Sequence, residues 1–181
     1  VSPRGNWSMK LLIQPQDGVA PLVAAIRGAK KSVDIVIFRF DRAEIEVALK
    51  DAAERGVSVT ALIAYTNHGG EKSLRKLEMR LLEAGVTVSR TADDLVRYHD
   101  KLLIIDRRLL YVLSFNFTHL DIDHSRGFAV VTRKKALVQE ALKLLAADTG
   151  RTPYEAGLDA FVVSPTNARK QLLALIHRAK K

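Results

Sequence analysis

His99, Lys101 and Asp106 stand in an H-x-K-x4-D spacing, and Ser114 and Asn116 follow fifteen and seventeen residues after the histidine. Residues two apart on an extended chain leave it on the same side, so His99 pairs with Lys101 and Ser114 with Asn116. If the two segments are hairpin neighbours, four polar side chains converge on one patch. Those types suit phosphoryl transfer. A neutral imidazole is a nucleophile for phosphorus. An ammonium, an amide and a hydroxyl can share the charge that grows on the non-bridging oxygens. Asp106 falls just past the apolar run Leu102-Leu-Ile-Ile105, at a turn.

The elements that must position these groups alternate between short β runs and amphipathic helices. Lys10–Gln14 reads as a strand, followed by a helix over about Val19–Lys31 with Leu22, Ile26 and Ala29 on one face. Ser32–Phe38 is a buried strand. Asp41 then caps a helix, with Glu44 completing a capping box and Ile45, Ala48, Leu49 and Ala52 facing inward. Gly56 ends that helix, Val57–Tyr65 is a strand, and Asn67-His-Gly-Gly70 is a turn into a helix carrying Leu74, Leu77 and Leu81. Gly85 stops it before a strand at Val86–Ser89. Strands over Tyr98–Ile105 and Leu109–Ser114 flank Asp106-Arg107-Arg108. His119-Leu-Asp121-Ile-Asp123-His124 reads as a polar surface turn rather than a metal site. A strand at Phe128–Val131 precedes a helix with Leu137, Ala141, Leu144 and Leu145. The pattern predicts an α/β fold, a mixed β-sheet layered with helices on both faces.

The 181 residues, 48% apolar and 27% charged, are enough for a core and exclude a disordered chain. There is no cysteine, hence no disulfide and no thiolate metal site. No apolar run has the length of a membrane span. The opening Val1–Ser8 is not an intact signal peptide, which favours a soluble, cytoplasmic chain, and a start at Val implies processing or a cut. The net charge of +9 favours polyanionic partners: phosphodiesters, anionic lipid headgroups or nucleic acid.

Leu11–Lys31 aligns without a gap to Phe161–Lys181, so that Pro15 meets Pro165, Leu22 meets Leu172, Ile26 meets Ile176 and Ala29-Lys-Lys31 meets Ala179-Lys-Lys181. This reads as an internal repeat. The implied organisation is an extension at 1–9, a unit at 10–148 holding the His/Lys/Asp motif, a linker at 149–158, and the truncated start of a second unit, a strand and a helix, at 159–181.

With these residues the chain resembles the phospholipase D superfamily, whose H-K-D motif is followed by G-S-x-N and whose members are built from two similar α/β halves with one motif each. The resemblance implies a two-step phosphodiesterase mechanism through a phosphohistidine, with neither metal nor cofactor. His99 would be the nucleophile or the acid/base. Lys101 and Asn116 would hold phosphate oxygens, Ser114 would assist, and Asp106 would act structurally and electrostatically. A second H-K-D half would come from a homodimer mate or from a missing C-terminal half. Two positions depart from the family. Leu113 stands where it has Gly, and Gly127 lies near where it carries a Glu that supports the histidine, which leaves Asp121 or Asp123 as replacements. The expected activity is cleavage or transfer of phospholipid headgroups, with peripheral membrane contact and no transmembrane segment. The low aromatic content, 6%, tilts the reading away from a nuclease of the same superfamily. The alternative from another class is a catalytically silent binding or dimerisation half.

Overall fold

A computed structural model describes residues 8–66 and 71–179. In chain order the elements are β1 (Met9–Gln14), α1 (Ala20–Gly28), β2 (Ser32–Ile37), α2 (Ala43–Glu54), β3 (Ser58–Ile63), α3 (Glu71–Glu83), β4 (Thr87–Arg90), β5 (Leu102–Ile105), β6 (Leu109–Leu113), α4 (His119–Asp123), β7 (Gly127–Thr132), α5 (Lys135–Gly150) and α6 (Ala168–Arg178). The strands form one seven-stranded sheet in the order β1-β7-β6-β5-β2-β3-β4. β2, β3 and β4 run parallel, and every other pairing is antiparallel. The mixed sheet expected from the pattern is therefore present, and the two strands carrying the motif are hairpin neighbours.

Side chains alternate across the sheet because the pleat has a period of two. Val33, Ile35, Ile37, Leu103 and Ile105 point to one side, where Leu22 and Ile26 of α1, Ile45 and Leu49 of α2, and Leu74, Leu77 and Leu81 of α3 complete the main core. Val36, Leu62, Leu102, Ile104 and Leu110 point to the other side, against Val138, Ala141, Leu142 and Leu145 of α5. Helices thus cover both faces. Full burial of a Leu or Ile contributes about 1.5–3 kcal/mol per side chain, so these stripes hold the layers together. Gly56 and Gly85 close α2 and α3 in the left-handed region, at φ +80°, which other residues adopt only under strain.

Several expected boundaries move. α1 ends at Gly28, because the backbone N–H groups of Lys30, Lys31 and Ser32 turn to the Asp106 carboxylate instead of continuing the helix. Asp41 does not cap α2. The N-cap is Arg42, without a side-chain bond, and the Asp41 carboxylate accepts from His119 N–H at 2.7 Å, so it caps α4. The expected surface turn at 119–124 is α4 itself, held also by Thr118, whose hydroxyl accepts from Asp121 N–H. The strand expected from Tyr98 begins only at Leu102. The turn Asn67-His-Gly-Gly70 and the pair Lys180-Lys181 lie outside the described residues.

The similarity between the two ends of the chain extends to hydrogen bonding. Ile13 N–H donates to Asp17 Oδ2 and Asp17 N–H to Ile13 O, at 2.7 and 3.0 Å. Val163 N–H donates to Asn167 Oδ1 and Asn167 N–H to Val163 O, at 2.7 and 2.9 Å. Pro15 and Pro165, inside these turns, both follow cis peptide bonds. Beyond the turns the copies diverge. β1 pairs with β7 and α1 buries Leu22 and Ile26, whereas residues 161–163 form no strand and Leu172 and Ile176 of α6 are 53% and 66% exposed. A strand needs a neighbour to accept its hydrogen bonds, and among the described residues no strand pairs with this segment.

Candidate active site

The patch is organised around Phe38, the buried residue that follows β2. The imidazole of His99 meets its ring edge-on at 4.6 Å between centroids. The Lys101 ammonium lies 5.2 Å from the same ring's centroid and donates to the His99 carbonyl at 2.7 Å. Lys101 is 4% exposed and His99 is exposed, so one cation is walled in beneath a histidine open to solvent. The Arg39 guanidinium, 5.8 Å from the ring centroid, adds a third positive or polar head to the same aromatic. Sequence reading passed over Phe38 and Arg39. Their signal, an aromatic and a cation closing a buried strand, is shared by many strands that have no site.

Burial first, then the positive charges of Lys101, Arg97 and Arg39, hold the His99 pKa below its ordinary value, with Asp121 acting the other way. The imidazole is accordingly neutral at pH 7. Burial also lowers Lys101, to about 8, against the opposing pull of Asp100 and Asp121. The result is a neutral imidazole beside an ammonium that is short of hydration, an arrangement that favours an incoming phosphate oxygen.

Asn116 joins this group through α4. Its backbone N–H and side-chain Nδ2 both donate to Asp121 Oδ2, at 2.7 and 2.8 Å, and its Oδ1 is buried without a partner. Asp121 thus connects Asn116 with His99 and Lys101, on whose titration it acts. Asp123 faces elsewhere. It is paired with Arg42, which is 4% exposed, and the same guanidinium holds Glu44 and the His119 imidazole. That cluster fastens α4 to the start of α2, a linkage with no sequence signal because its members lie about eighty residues apart. Of the two carboxylates, Asp121 is the one that faces the patch. Position 127 itself has no room. A Cβ built on Gly127 would lie 2.9 Å from Phe115 Cδ1. Leu113 fills core space, 6% exposed, rather than opening the strand.

Ser114 is bonded across to β7, and Asp106 stands at the other end of β5 from His99. The Ser114 hydroxyl accepts from Phe128 N–H at 2.9 Å, on the β6–β7 rung, leaving its own proton to donate outward. Asp106 lies at the far end of β5. Its carboxylate accepts from Lys31, Lys30 and Ser32 N–H at 2.6–3.1 Å. Burial raises its pKa, but these backbone donors outweigh that and hold it below normal. Asp106 therefore ties the motif hairpin to the start of β2.

On its other side His99 borders a cavity of about 480 Å³, walled by Leu102, Val112, Leu144 and Phe161 and by three carboxylates, Asp94, Asp100 and Asp148. Asp100 Oδ2 is buried without a partner, and burial raises its pKa. Burial and then the charges of Asp100 and Asp94 push Asp148 up to about 7. Among the described residues no cluster of histidine and carboxylate is arranged to hold a metal ion, and no helix is long and apolar enough to cross a membrane.

This fold is that of the phospholipase D superfamily of phosphodiesterases. The chain belongs to the family described as cardiolipin synthase, phospholipase D-like domain, whose model matches residues 22–149. Among solved structures it is similar to Nuc from Salmonella typhimurium, a phospholipase D family member, at 25% identity and a TM-score of 0.71, covering 81% of this chain and 96% of that one. NucT from Helicobacter pylori is similar at 21% identity and a TM-score of 0.64, over 77% and 94% of the two chains. Polyphosphate kinase from Porphyromonas gingivalis shares the fold at 20% identity and a TM-score of 0.74, over 94% of this chain and 30% of that enzyme. No curated protein sequence matches the chain significantly.

Proposed function

We propose that this chain carries one half of a two-histidine site that hydrolyses or transfers phospholipid headgroups through a phosphohistidine at His99. The observation that supports it most is the neutral imidazole held edge-on to Phe38, with the Lys101 ammonium bonded to its own carbonyl. The imidazole lone pair attacks phosphorus as the bond to the leaving alcohol breaks, and a second histidine protonates the departing oxygen. That histidine then takes a proton from water or an acceptor alcohol. The new oxygen bonds to phosphorus, the phosphorus–nitrogen bond breaks, and His99 is regenerated. Lys101 and Asn116 hold the non-bridging oxygens, Ser114 assists, and Asp121 positions Asn116. Asp106 contributes at a distance, by fixing the hairpin. One motif supplies one imidazole, so the second comes from a second copy of the chain across a two-fold axis or from a second unit beginning near residue 159.

A phospholipid headgroup is favoured over a nucleic-acid strand by the cavity beside His99. Its walls are mostly apolar, with Arg97 and three carboxylates among them, two of which burial holds toward the protonated form, a lining that suits a small alcohol. The nuclease reading is supported by Arg39 and Arg97, exposed cations whose charge reaches His99. Turnover of bis(p-nitrophenyl) phosphate in excess EDTA, beside His99→Ala, tests the chemistry. Activity that survives chelation and is lost in the variant is expected, with a dimeric mass if the chain acts alone. Equal activity of the variant refutes the reading. Phosphatidylglycerol vesicles against single-stranded DNA then decide between the two substrates.

A further inference from the structure

At the end of the sheet remote from His99 lies a second cleft, of about 610 Å³, a size typical of small-molecule sites. His99 precedes β5 and Arg107 follows it, so the strand Leu102–Ile105 lies between them. Arg107 and Arg108 of the β5–β6 turn, Arg133 after β7 and Lys135 at the start of α5 line the cleft, and all four are exposed. Its one acidic residue is Asp106, whose carboxylate is already occupied by three backbone N–H groups. Four cations against this one carboxylate in the lining make the cleft positively charged.

The turn that presents the arginines adds an independent observation. Arg108 N–H donates to Ile105 O at 3.0 Å, and the two residues between have φ of +53° and +52°. This is a mirror-image hairpin turn whose second central position favours glycine, yet Arg107 occupies it. Left-handed backbone at a bulky residue persists where something beyond the turn is gained. The gain visible here is a guanidinium held at the mouth of the cleft, and guanidinium forks match phosphate oxygens two at a time.

We propose that this cleft binds the diphosphate group of a small soluble ligand, at a site separate from the His99 patch. The small side of the cleft, Ala24, Ala25 and Gly28 of α1, leaves room for the rest of such a molecule. The site does not depend on the phosphodiesterase reading.

Calorimetric titration of the whole chain with inorganic pyrophosphate tests it. The Lys101→Ala chain serves as host, so that anion binding at the His99 patch does not contribute. Saturable one-to-one binding is expected there, weakened about tenfold or more by Arg107→Gly and further by adding Arg108→Gln. Arg107→Gly suits the left-handed turn, so its melting temperature should be at least that of its host, which separates binding from folding. Bis(p-nitrophenyl) phosphate turnover of Arg107→Gly in the unmodified chain should be unchanged. Binding absent in the Lys101→Ala host, or equal with and without Arg107, overturns the proposal. So does capture on phosphatidic acid vesicles without saturable pyrophosphate binding, which would make the patch a lipid contact.

Discussion

Asp121 is the carboxylate on which the arrangement of the patch turns, and two substitutions separate its two roles. As an acceptor it takes both the backbone N–H and the side-chain N–H of Asn116, at 2.7 and 2.8 Å, in a half-buried setting. Asp121→Ala leaves both donors without their acceptor. At about 1–3 kcal/mol for a buried orphan, reduced because water reaches a half-buried site, the expected loss is about 2–3 kcal/mol. Asp121→Asn keeps an acceptor oxygen in place and removes only the charge, which roughly halves the strength of such bonds, so about 1 kcal/mol is expected. Urea unfolding with linear extrapolation resolves that difference. As a charge, Asp121 raises the His99 pKa against burial and three cations. Both substitutions should therefore lower the His99 titration midpoint further, as read from imidazole NMR shifts. The two variants should differ in stability and agree in titration. Equal stability losses would mean that the bonds to Asn116 contribute nothing. An unmoved midpoint would mean that Asp121 does not act on His99.

The buried ammonium sets a pH limit and a trade of stability against function. With Lys101 at about 8, turnover should decline as pH rises through 8, and Lys101→Met should remove that limb and about 10²–10³ of the rate while raising the melting temperature. Asp148, pushed up to about 7, binds its proton more tightly folded than unfolded, so stability should fall as pH rises from about 4 to 7. Asp148→Asn should flatten that slope in melting temperatures taken between pH 5 and 8, and an unchanged slope would show that Asp148 is solvated. Gly127→Ala places a methyl 2.9 Å from Phe115 and should cost about 1–3 kcal/mol in urea unfolding, recovered in part by Phe115→Leu.

The layers of this fold were legible because local patterns repeat. The period-two alternation of β2 and the i, i+3, i+4 stripes of α1, α2, α3 and α5 each state which side is buried, whatever lies opposite. The His99, Lys101 and Asp106 spacing was legible for the same reason, since one extended segment carries all three. It placed His99 and Lys101 in one strand, however, with Asp106 at the turn beyond it. The strand instead begins only at Leu102, and the Lys101 ammonium bonds the His99 carbonyl over the ring of Phe38, sixty residues earlier in the chain.

Sequence alone therefore establishes the family, the α/β layering, the residue types of the site and the alignment of Pro15 with Pro165, because each resides in contiguous residues. Tertiary structure alone decides between Asp121 and Asp123, since that depends on Arg42 holding one of them away from the patch. It also decides that Asp41 caps α4 rather than α2, that Gly127 has no room for a carboxylate beside Phe115, and that Arg107 and Arg133 face the same cleft. Each of these pairs residues distant along the chain. Hydrogen-bonding capacity and volume at such a pair are set by what the folded sheet brings opposite, and no local spacing encodes that.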